Sequence, residues 1–497
     1  MKIAFIYPVY ESLGIEYLSA YLKSQGHDTC LFIDPLLFRS YILDNKSLDR
    51  VINFKEILID EVVKSNPDVI CFSVVSDYYQ WACSTAQRLK KKTKAKIILG
   101  GPHPTSVPEK VILNDFVDFV IVGEGEEALL ELITNLENNK DCTRIRNVYT
   151  RYKGSIITNE IRPLISSLDT LPFPDKDLYF NYYRGFINEI YVIIGTRGCP
   201  NSCSYCYNNY LRKLYNGKNY LRWRSVNNVI NELVTTKRKY SYKRIQFFDD
   251  LFTFDKEWLR DFCARYKKEV AMPFFCNVHP DTIDQETVIL LEDAGCRTVD
   301  LGVQTISEEL RRDVLGRVGS NKSIVNAINS ISKSRIFLYV NLILGLPNQD
   351  NEELLNIARF FNKHKVDSIS LFWLRHFPRT DIVKYLDKET IERIEDGYVS
   401  SPYSSRGTSF SIGMSKIGNL ILLSQILPKK VLEFVIKKKL YRYLPSVNFH
   451  FINLFLTGLF KRTVSYKKYN YPHFSLINYL QYYYYFIIKW FKSIGFN

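Results

Sequence analysis

Acidic residues are almost absent from the last fifth of this chain of 497 residues. Residues 401–497 hold fourteen Lys and Arg but the single acid Glu433, so thirteen of the fifteen net positive charges lie there. The preceding four fifths are close to neutral. A basic surface that attracts an anionic partner is therefore expected in this tail and not in the body of the protein.

The chain also lacks the patterns of secretion and of membrane spanning. Its first residues, from Met1 to Tyr7, contain no signal peptide, and its ten cysteines form no evident disulfide framework. The apolar stretches of the tail are shorter than the about twenty residues that a spanning helix needs, or are interrupted by polar groups. We therefore expect a cytoplasmic protein.

The length predicts two or three domains, and the first 140 residues alternate between strand and helix patterns. This alternation predicts a doubly wound, Rossmann-like parallel sheet with ligand-binding loops at the carboxyl ends of its strands. Such ends are expected at 73–76, 100–105 and 123–126, where glycines would let the backbone approach a ligand. No G-x-G-x-x-G opens the first helix, which disfavours a nicotinamide dinucleotide.

A longer alternation occupies residues 190–380. Six strand and helix units there predict a partial (β/α)6 barrel of the TIM type, with function at the strand ends. Residues 141–189, with the paired prolines of Leu-Pro-Phe-Pro-Asp at 171–175, are interpreted as a linker. Residues 381–497 are interpreted as a mostly helical extension.

Three cysteines directly follow the first predicted strand of the barrel. Cys199, Cys203 and Cys206 have C-x3-C-x2-C spacing, and a loop that presents three thiolates is typical of an iron–sulfur cluster. The fourth iron would have no protein ligand and could bind a substrate or cofactor. A structural zinc site would need a fourth ligand, and no partnering Cys/His pair follows at short spacing.

This loop resembles the cluster loop of the radical S-adenosylmethionine (SAM) enzymes. The resemblance implies a 4Fe-4S cluster whose open iron binds the methionine part of SAM, and reductive cleavage of SAM to a 5′-deoxyadenosyl radical that abstracts hydrogen from substrate. Tyr205 occupies the aromatic position that the family packs against adenine. Further SAM contacts are implied at other strand ends, where Gln304 replaces a usual Glu and His376-Phe-Pro-Arg-Thr380 replaces a usual Pro-Gly-Thr. The implied SAM contacts are Tyr205, Phe248, Asp249, Asp250, Gln304, Asn341 and Gly345.

The first domain and the linker resemble those of the cobalamin-binding branch of this family. The resemblance implies a bound cobalamin, although the signature D-x-H-x-x-G is absent and the cobalt would lack that histidine ligand. His103 is the nearest substitute, with a simple turn residue as the alternative, and a domain that has lost cobalamin also remains open. The implied cobalamin contacts are Glu16, Ser73, Ser76, Gly100, Gly101, His103, Gly123, Glu124 and Gly125.

By resemblance, the expected activity is methylation or another remodelling of an unactivated carbon in a small-molecule, lipid or other hydrophobic substrate. A flavodoxin or ferredoxin is the implied electron donor. One alternative is an RNA-modifying enzyme similar to the methylthiotransferases, and another is a cobalamin or cluster sensor without turnover. Nucleic acid is disfavoured, because neither a second cluster motif nor an RNA-binding barrel pattern is evident.

The tail interleaves aromatic residues with basic clusters such as Lys437 to Lys439 and Lys461-Arg462. Three interpretations stay open: a helical cap over the barrel, a cap that also contacts the inner face of an anionic membrane, and a nucleic-acid surface. Elsewhere, Cys71, Cys263 and Cys296 are expected to be buried hydrophobes, whereas Cys276 and His279 are candidates to face substrate.

Overall fold

The computed structural model describes residues 1–9, 11–38, 45–182, 189–398, 409–445, 483–488 and 490–491. Within these residues, two sheets form the framework of the chain. Two parts of the basic and aromatic tail, residues 449–456 and the pair Lys461 and Arg462, lie outside the described residues.

The first sheet has the order β2-β1-β3-β4-β5-β6-β7 in the described residues. Its strands are β1 (Lys2–Pro8), β2 (Asp28–Asp34), β3 (Val69–Ser73), β4 (Lys96–Gly100), β5 (Phe119–Ile121), β6 (Val148–Tyr152) and β7 (Ser155–Ile157). The first five are parallel, whereas β6 and β7 pair antiparallel. The strand order reverses between β1 and β3, and doubly wound sheets bind ligands at that point, outside the carboxyl ends of the strands.

Helices cover both faces of this sheet. They are α1 (Leu13–Ser24), α2 (Lys46–Val51), α3 (Phe54–Ser65), α4 (Tyr79–Lys92), α5 (Pro102–Ser106), α6 (Pro108–Ile112) and α7 (Glu126–Glu137). Side chains cap several of them at the N-terminus, as where Ser12 accepts from the Ile15 amide at 3.5 Å. Apolar residues of β1, β3 and β4 alternate between two buried clusters, one on each face of the sheet.

The second sheet has six parallel strands in sequence order among the described residues. They are β8 (Ile190–Ile193), β11 (Arg244–Phe247), β12 (Phe274–Val278), β13 (Cys296–Gln304), β14 (Phe337–Leu344) and β15 (Ser368–Trp373), with a small antiparallel pair of β9 (Thr196–Arg197) and β10 (Arg222–Trp223) beside the cluster loop. This is the predicted partial barrel. The fold class expected from the sequence is confirmed for both sheets.

Helices lie before, between and after the barrel strands. They are α8 (Asp177–Tyr182), α9 (Tyr207–Leu214), α10 (Val226–Lys239), α11 (Lys256–Glu269), α12 (Gln285–Ala294), α13 (Asn321–Ser332), α14 (Asn351–Lys363), α15 (Lys388–Glu395), α16 (Ser409–Leu423) and α17 (Lys429–Lys437). Side chains of α10 to α14 form the core against the strands, and α16 and α17 pack on α14.

The structure adds three features to the sequence interpretation. The hairpin of β6 and β7 extends the first sheet into the segment interpreted as a linker. Residues 483–488 are helical, and Phe486 is buried against the first sheet's cluster, where its ring lies 6.0 Å from that of Phe54. Of the described helices, none is both long and apolar enough to cross a membrane.

Candidate active site

A cavity of about 280 Å³ lies at the carboxyl edge of the first sheet. Its floor and walls include Phe5 on β1 and Leu13, Tyr17 and Leu18 on α1, so it sits at the switch point between β1 and β3. Six of the predicted cobalamin contacts line it: Ser73, Gly100, Gly101, Gly123, Glu124 and Gly125. The remaining walls are mostly apolar, which suits a largely apolar part of a ligand.

Two of these glycines are required by their surroundings. Gly101 has φ of 96°, and a Cβ there would lie 2.8 Å from the backbone nitrogen of Val74. Gly123 has φ of 79°, and its Cβ would lie 2.0 Å from the Tyr215 hydroxyl. Any side chain at either position would clash with protein and strain the backbone.

The structure places Glu16 away from this cavity. Its carboxylate lies 2.7 Å from Lys176 Nζ, and the same amine also contacts Glu11 at 2.5 Å. Burial raises the pKa of Glu16 well above its usual range, although Lys176 opposes this shift. Glu16 therefore joins α1 to the linker, and the prediction of a cobalamin contact is replaced by this structural role.

His103 and Ser76 contact each other and do not line the cavity. His103 Nδ1 lies 3.0 Å from Ser76 Oγ, and the imidazole ring lies 4.1 Å from the ring of Tyr79. His103 is fully buried, and this burial lowers its pKa to about 4. Its surroundings are those of a packed neutral histidine, which corrects its placement among the cavity residues.

The cluster loop begins where β8 ends and is fixed on two sides. Gly198 has φ of 92°, and a Cβ there would lie 2.3 Å from the Tyr220 carbonyl oxygen. Ser204 donates from its amide to the Leu315 carbonyl at 2.8 Å and from its hydroxyl to the Val314 carbonyl at 2.6 Å. These contacts hold the loop against the segment that follows β13.

The three cysteines of this loop are close enough to interact electrostatically. Cys203 is buried, whereas Cys199 and Cys206 are half-buried, and burial raises the pKa of the Cys206 thiol to about 11. Arg317 Nη1 lies 3.5 Å from Cys203 Sγ, so a cation adjoins this thiol. No group of three His, Cys, Asp or Glu in the described residues is arranged around a single metal ion. A cluster differs from such a site, because each thiolate binds a different iron, and bound metal would keep these thiols deprotonated.

Asp249 organises the entry to the loop. Its carboxylate accepts from the Gly195 amide at 3.0 and 3.1 Å and from the Thr196 hydroxyl at 2.7 Å. The side chain is fully buried, and burial raises its pKa to about 6. Because these hydrogen bonds engage the carboxylate, the predicted SAM contact through this side chain is corrected to the role of a positioning residue.

Phe248 and Asp250 flank Asp249 and differ from it in exposure. The Phe248 side chain is 50% exposed at the carboxyl end of β11, and Asp250 is exposed as well. Enough protein surrounds Asp250 that desolvation raises its pKa to about 6. Both side chains are therefore available to a ligand at the end of the barrel.

The other predicted SAM residues lie on β13, β14 and the cluster loop. Gln304 has φ of 69°, and the pairing of β13 with β14 shifts register between Gly302 and Gln304. Asn341 is half-buried beside Gly302, and the Gly345 amide donates to Gln349 Oε1 at 2.8 Å. Tyr205 packs on a separate apolar cluster that includes Ile343 and Leu346.

The sequence interpretation missed the arginines that join the two sheets. Arg197 lines the cavity, lies two residues before Cys199, and pairs with Glu126 at 2.7 Å and Glu124 at 3.1 Å. Arg222 also pairs with Glu124 at 2.7 Å. Burial alone would raise the pKa of Glu124, but the two guanidinium groups hold it below its usual value. A single sequence contains no signal for these pairs, since their members are far apart along the chain.

The loop after β15 contains a residue with positive φ that is not glycine. Arg379 occupies the position of the family's usual glycine and has φ of 63°. Its side chain donates from Nε to the carbonyl of Ser106 on α5 at 3.3 Å. The turn is therefore present although the usual glycine is replaced, and its arginine contacts a helix that packs on the first sheet.

The remaining cysteine and histidine candidates are mostly buried. Cys71, Cys263 and Cys296 are buried as predicted. Cys276 is 1% exposed within the barrel core, so the expectation that it faces substrate is wrong. His279 is buried, and its Nδ1 accepts from the Asp281 amide at 3.2 Å.

Two family models match separate parts of the chain. The B12 binding domain matches residues 3–133, and the radical SAM superfamily matches residues 193–361. An uncharacterized methyltransferase of Pyrococcus horikoshii is 26% identical over 403 residues, which cover 78% of this chain and 83% of that protein. An anaerobic magnesium-protoporphyrin IX monomethyl ester cyclase of Rubrivivax gelatinosus is 22% identical over 409 residues, which cover 78% of this chain and 70% of that protein.

Solved structures share the fold at low identity. The cobalamin-dependent SAM radical enzyme OxsB, with aqua-cobalamin and SAM bound, aligns with a TM-score of 0.64 and 15% identity over 99% of this chain and 84% of that chain. The radical SAM methyltransferase TsrM of Kitasatospora setae aligns with a TM-score of 0.62 and 15% identity over 77% of this chain and 74% of that chain.

A B12-binding sheet followed by a radical SAM barrel defines an enzyme class with three cofactors: a 4Fe-4S cluster, SAM and cobalamin. This chain belongs to the cobalamin-binding branch of the radical SAM family.

Proposed function

We propose that this protein is a cobalamin-dependent radical SAM methyltransferase that methylates an unactivated carbon. One observation carries the proposal: Arg197 lines the cavity of the first sheet and lies two residues before Cys199. A ligand in the cavity and a cluster on the loop would therefore share one wall. Methyl transfer from cobalamin to a substrate radical needs such neighbouring sites.

Cys199, Cys203 and Cys206 are the proposed ligands of the cluster. With cluster, SAM and cobalamin bound, the cofactors supply reductive cleavage of SAM and a transferable methyl group. The protein's own contribution is to hold the loop: Asp249 accepts from its first residues, and Ser204 ties it to the segment after β13. Arg317, beside Cys203, stabilises negative charge on the sulfur.

SAM is proposed to lie across the carboxyl ends of the barrel strands. Asp250 is the proposed acceptor for its ammonium group, since the Asp249 carboxylate is already engaged. Gln304 and Asn341 are proposed ribose or carboxylate contacts, and Gly345 and Tyr205 are proposed to flank the adenine. Phe248 supplies an exposed apolar surface at the same end of the barrel.

Cobalamin is proposed to place the planar base of its nucleotide tail in the cavity of the first sheet. The six predicted residues that line the cavity are the proposed contacts, and the mostly apolar lining beside them supports this assignment. Glu16, Ser76 and His103 are left out, because they do not line the cavity and contact other protein groups instead.

The proposed substrate is a lipid or another hydrophobic small molecule. Phe248 and Phe372 expose 50% and 44% of their surface at the ends of β11 and β15, which favours an apolar ligand. A relative whose name gives magnesium-protoporphyrin IX monomethyl ester as its substrate supports the same class. A flavodoxin or ferredoxin is the proposed electron donor, and residues 401–497 are the proposed site of contact with the membrane.

The test uses protein produced and purified anaerobically with cobalamin supplied. Iron, sulfide and cobalt contents are measured, followed by 5′-deoxyadenosine and S-adenosylhomocysteine formed from SAM with a strong reductant and a lipid extract. Radical methylation uses SAM both as the radical source and as the methyl donor, so 5′-deoxyadenosine and S-adenosylhomocysteine are both expected from the wild type. Neither is expected from Cys203→Ala. Formation of 5′-deoxyadenosine by a protein that contains no cobalt, or that forms no S-adenosylhomocysteine, would contradict the methyltransferase assignment. Absence of a cluster would contradict the proposal as a whole.

A further inference from the structure

Helix α17 of the C-terminal extension has one buried and one exposed side. Leu432 and Ile436 on α17, and Tyr441 shortly after it, belong to the apolar core of the barrel. The inward side of this helix is thus fixed by packing on the barrel. Its outward side must be explained separately.

The outward face of α17 mixes apolar and basic side chains. Exposed positions follow the spacing i, i+1, i+4, i+7 and i+8, which places them on a single helical face. They are Lys430, Val431, Phe434, Lys437 and Lys438. We call these five residues, together with Tyr443, the α17 surface.

The apolar members of the α17 surface are unusually accessible. Val431 is 42% exposed, Phe434 is 56% exposed and Tyr443 is 85% exposed. Their neighbours Ile426 and Leu440 are also exposed. A soluble protein surface rarely gathers so many apolar side chains without a binding partner.

The charges around these apolar groups have one sign. Lys429, Lys439 and Arg442 adjoin the three lysines of the α17 surface, and none of these six cations forms an ion pair with a described residue. Glu433 is the one acid within residues 429–443, and it lies 3.5 Å from Arg359, which also pairs with Glu352 at 2.8 Å. The six cations outnumber it. The surface therefore complements a densely anionic partner.

We propose that the α17 surface docks this protein on an anionic lipid bilayer. Lysines at the edge of an amphipathic helix bind acidic headgroups, while Val431, Phe434 and Tyr443 enter the headgroup region. Single-stranded RNA is the less suitable anion, because bases stack on aromatic rings and the aliphatic Val431 and Ile426 offer no such platform. Docking rests on the proposed function only in that it brings the enzyme to a hydrophobic substrate.

The experiment is flotation of the full-length, cofactor-loaded protein with vesicles of phosphatidylcholine alone or with 30% phosphatidylglycerol, a composition chosen at about physiological anionic content. Binding is expected to the anionic vesicles and to weaken with salt, with little binding to neutral vesicles. Two variants test the contribution of the lysines and that of the apolar side chains separately. Lys430→Glu/Lys437→Glu/Lys438→Glu is expected to bind at least about 100-fold more weakly, and Val431→Ser/Phe434→Ser about tenfold more weakly.

A matched control changes three exposed lysines elsewhere. Lys91→Glu/Lys322→Glu/Lys333→Glu carries the same change in net charge on α4 and α13, and it is expected to keep most of the binding. Cluster absorbance and cobalt content verify the fold of each variant. Because the two sets of α17 substitutions share no residue, misfolding of one leaves the other as the test.

Three outcomes would overturn the inference: no binding of the wild type to anionic vesicles, equal binding of wild type and both α17 variants, or equal loss in the control. Preferential binding of single-stranded RNA that these variants abolish would assign the surface to nucleic acid instead. Flotation is measured without SAM turnover. Vesicle binding without methyl transfer would therefore contradict only the methyltransferase assignment. Methyl transfer without vesicle binding would contradict the docking and the membrane contact proposed for residues 401–497, and would leave the methyltransferase assignment intact.

Discussion

Arg197 Nη2 lies 2.7 Å from Glu126 Oε1, and this ion pair joins the cluster loop of the barrel to the first turn of α7 in the other sheet. Both side chains line the cavity, and the Arg197 guanidinium also lies 5.1 Å from the ring of Tyr17 on α1. Helices α1 and α7, which both line the cavity, are thus connected through Arg197 to the loop that carries Cys199. Occupation of one site is expected to affect the order of the other.

Replacement of Arg197 by methionine is expected to weaken both sites. The variant leaves Glu126 buried without its cation and leaves Glu124 with one of its two cations. Breaking a buried pair typically costs about 3–5 kcal/mol. We expect lower cobalt content and slower formation of 5′-deoxyadenosine, together with a lower urea midpoint. The double variant Arg197→Met/Glu126→Gln is expected to lose less than the sum of the single variants.

Lys213→Met is the control for this experiment. Lys213 pairs with Asp381 at 2.5 Å, but both side chains are about half exposed, so its loss is expected to change stability by less than about 1 kcal/mol. Equal effects of Arg197→Met and Lys213→Met would contradict a specific connection between the two sites.

Asp249 and Asp250 provide a second, paired test. Asp249→Asn replaces one accepting carboxylate oxygen by a donating NH2 group, which then faces the donors of the cluster loop. The start of the loop loses these hydrogen bonds, so the iron content is expected to fall. Asp250→Asn is expected to keep the cluster and to weaken SAM binding about tenfold or more. Iron analysis and equilibrium binding of SAM distinguish the two. Loss of iron in Asp250→Asn with normal iron in Asp249→Asn would reverse the assigned roles.

The turn at Arg379 predicts an unusual order of stability among variants at this position. Arg379→Gly relieves a positive φ but loses the contact with Ser106, so its stability is expected to stay within about 1 kcal/mol of wild type. Arg379→Val introduces a β-branched residue into the same conformation and is expected to be less stable than the glycine variant by about 1–3 kcal/mol. Urea unfolding of both variants gives the comparison. Equal stability of the two would show that the turn has another conformation in solution.

These contacts show where sequence reasoning succeeded and where it stopped. The alternation of strands and helices predicted both sheets, because buried parallel strands leave a strong local pattern. The spacing of Cys199, Cys203 and Cys206 could be recognised for a similar reason, since the signal lies within eight residues, and their role as cluster ligands stays a prediction. Ser73, Gly100 and Gly123 could be assigned to one cavity from their places at strand ends.

Residues whose roles depend on distant partners could not be predicted. Arg197 meets Glu126 across 71 residues of sequence, and nothing local distinguishes it from a surface arginine. The family resemblance implies a cobalamin contact for Glu16, but Lys176 of the linker engages its carboxylate instead. Asp249 and Asp250 are identical in type, and only the fold directs one carboxylate to the loop and leaves the other exposed.

His103 predicts a dependence of stability on pH. Its pKa in the folded protein is lowered to about 4 by burial, against an unfolded value of 6.5. Between these values the unfolded chain binds a proton that the folded protein does not, so stability falls as pH decreases from about 6.5 to about 4 and levels off below. The total for this residue is about 3 kcal/mol.

His103→Gln removes this titration and is expected to flatten the decrease in urea midpoint between pH 7 and pH 4. Part of the decrease will persist, because burial also lowers the pKa of His279 to about 4. His364→Gln is the control, since that side chain is less buried and its pKa is lowered less. An unchanged pH profile in His103→Gln would mean that His103 is not buried in its neutral form. Since a cobalt ligand must also be a neutral histidine, repeating the titration with cobalamin bound would reveal any ligation as a further reduction of the apparent pKa.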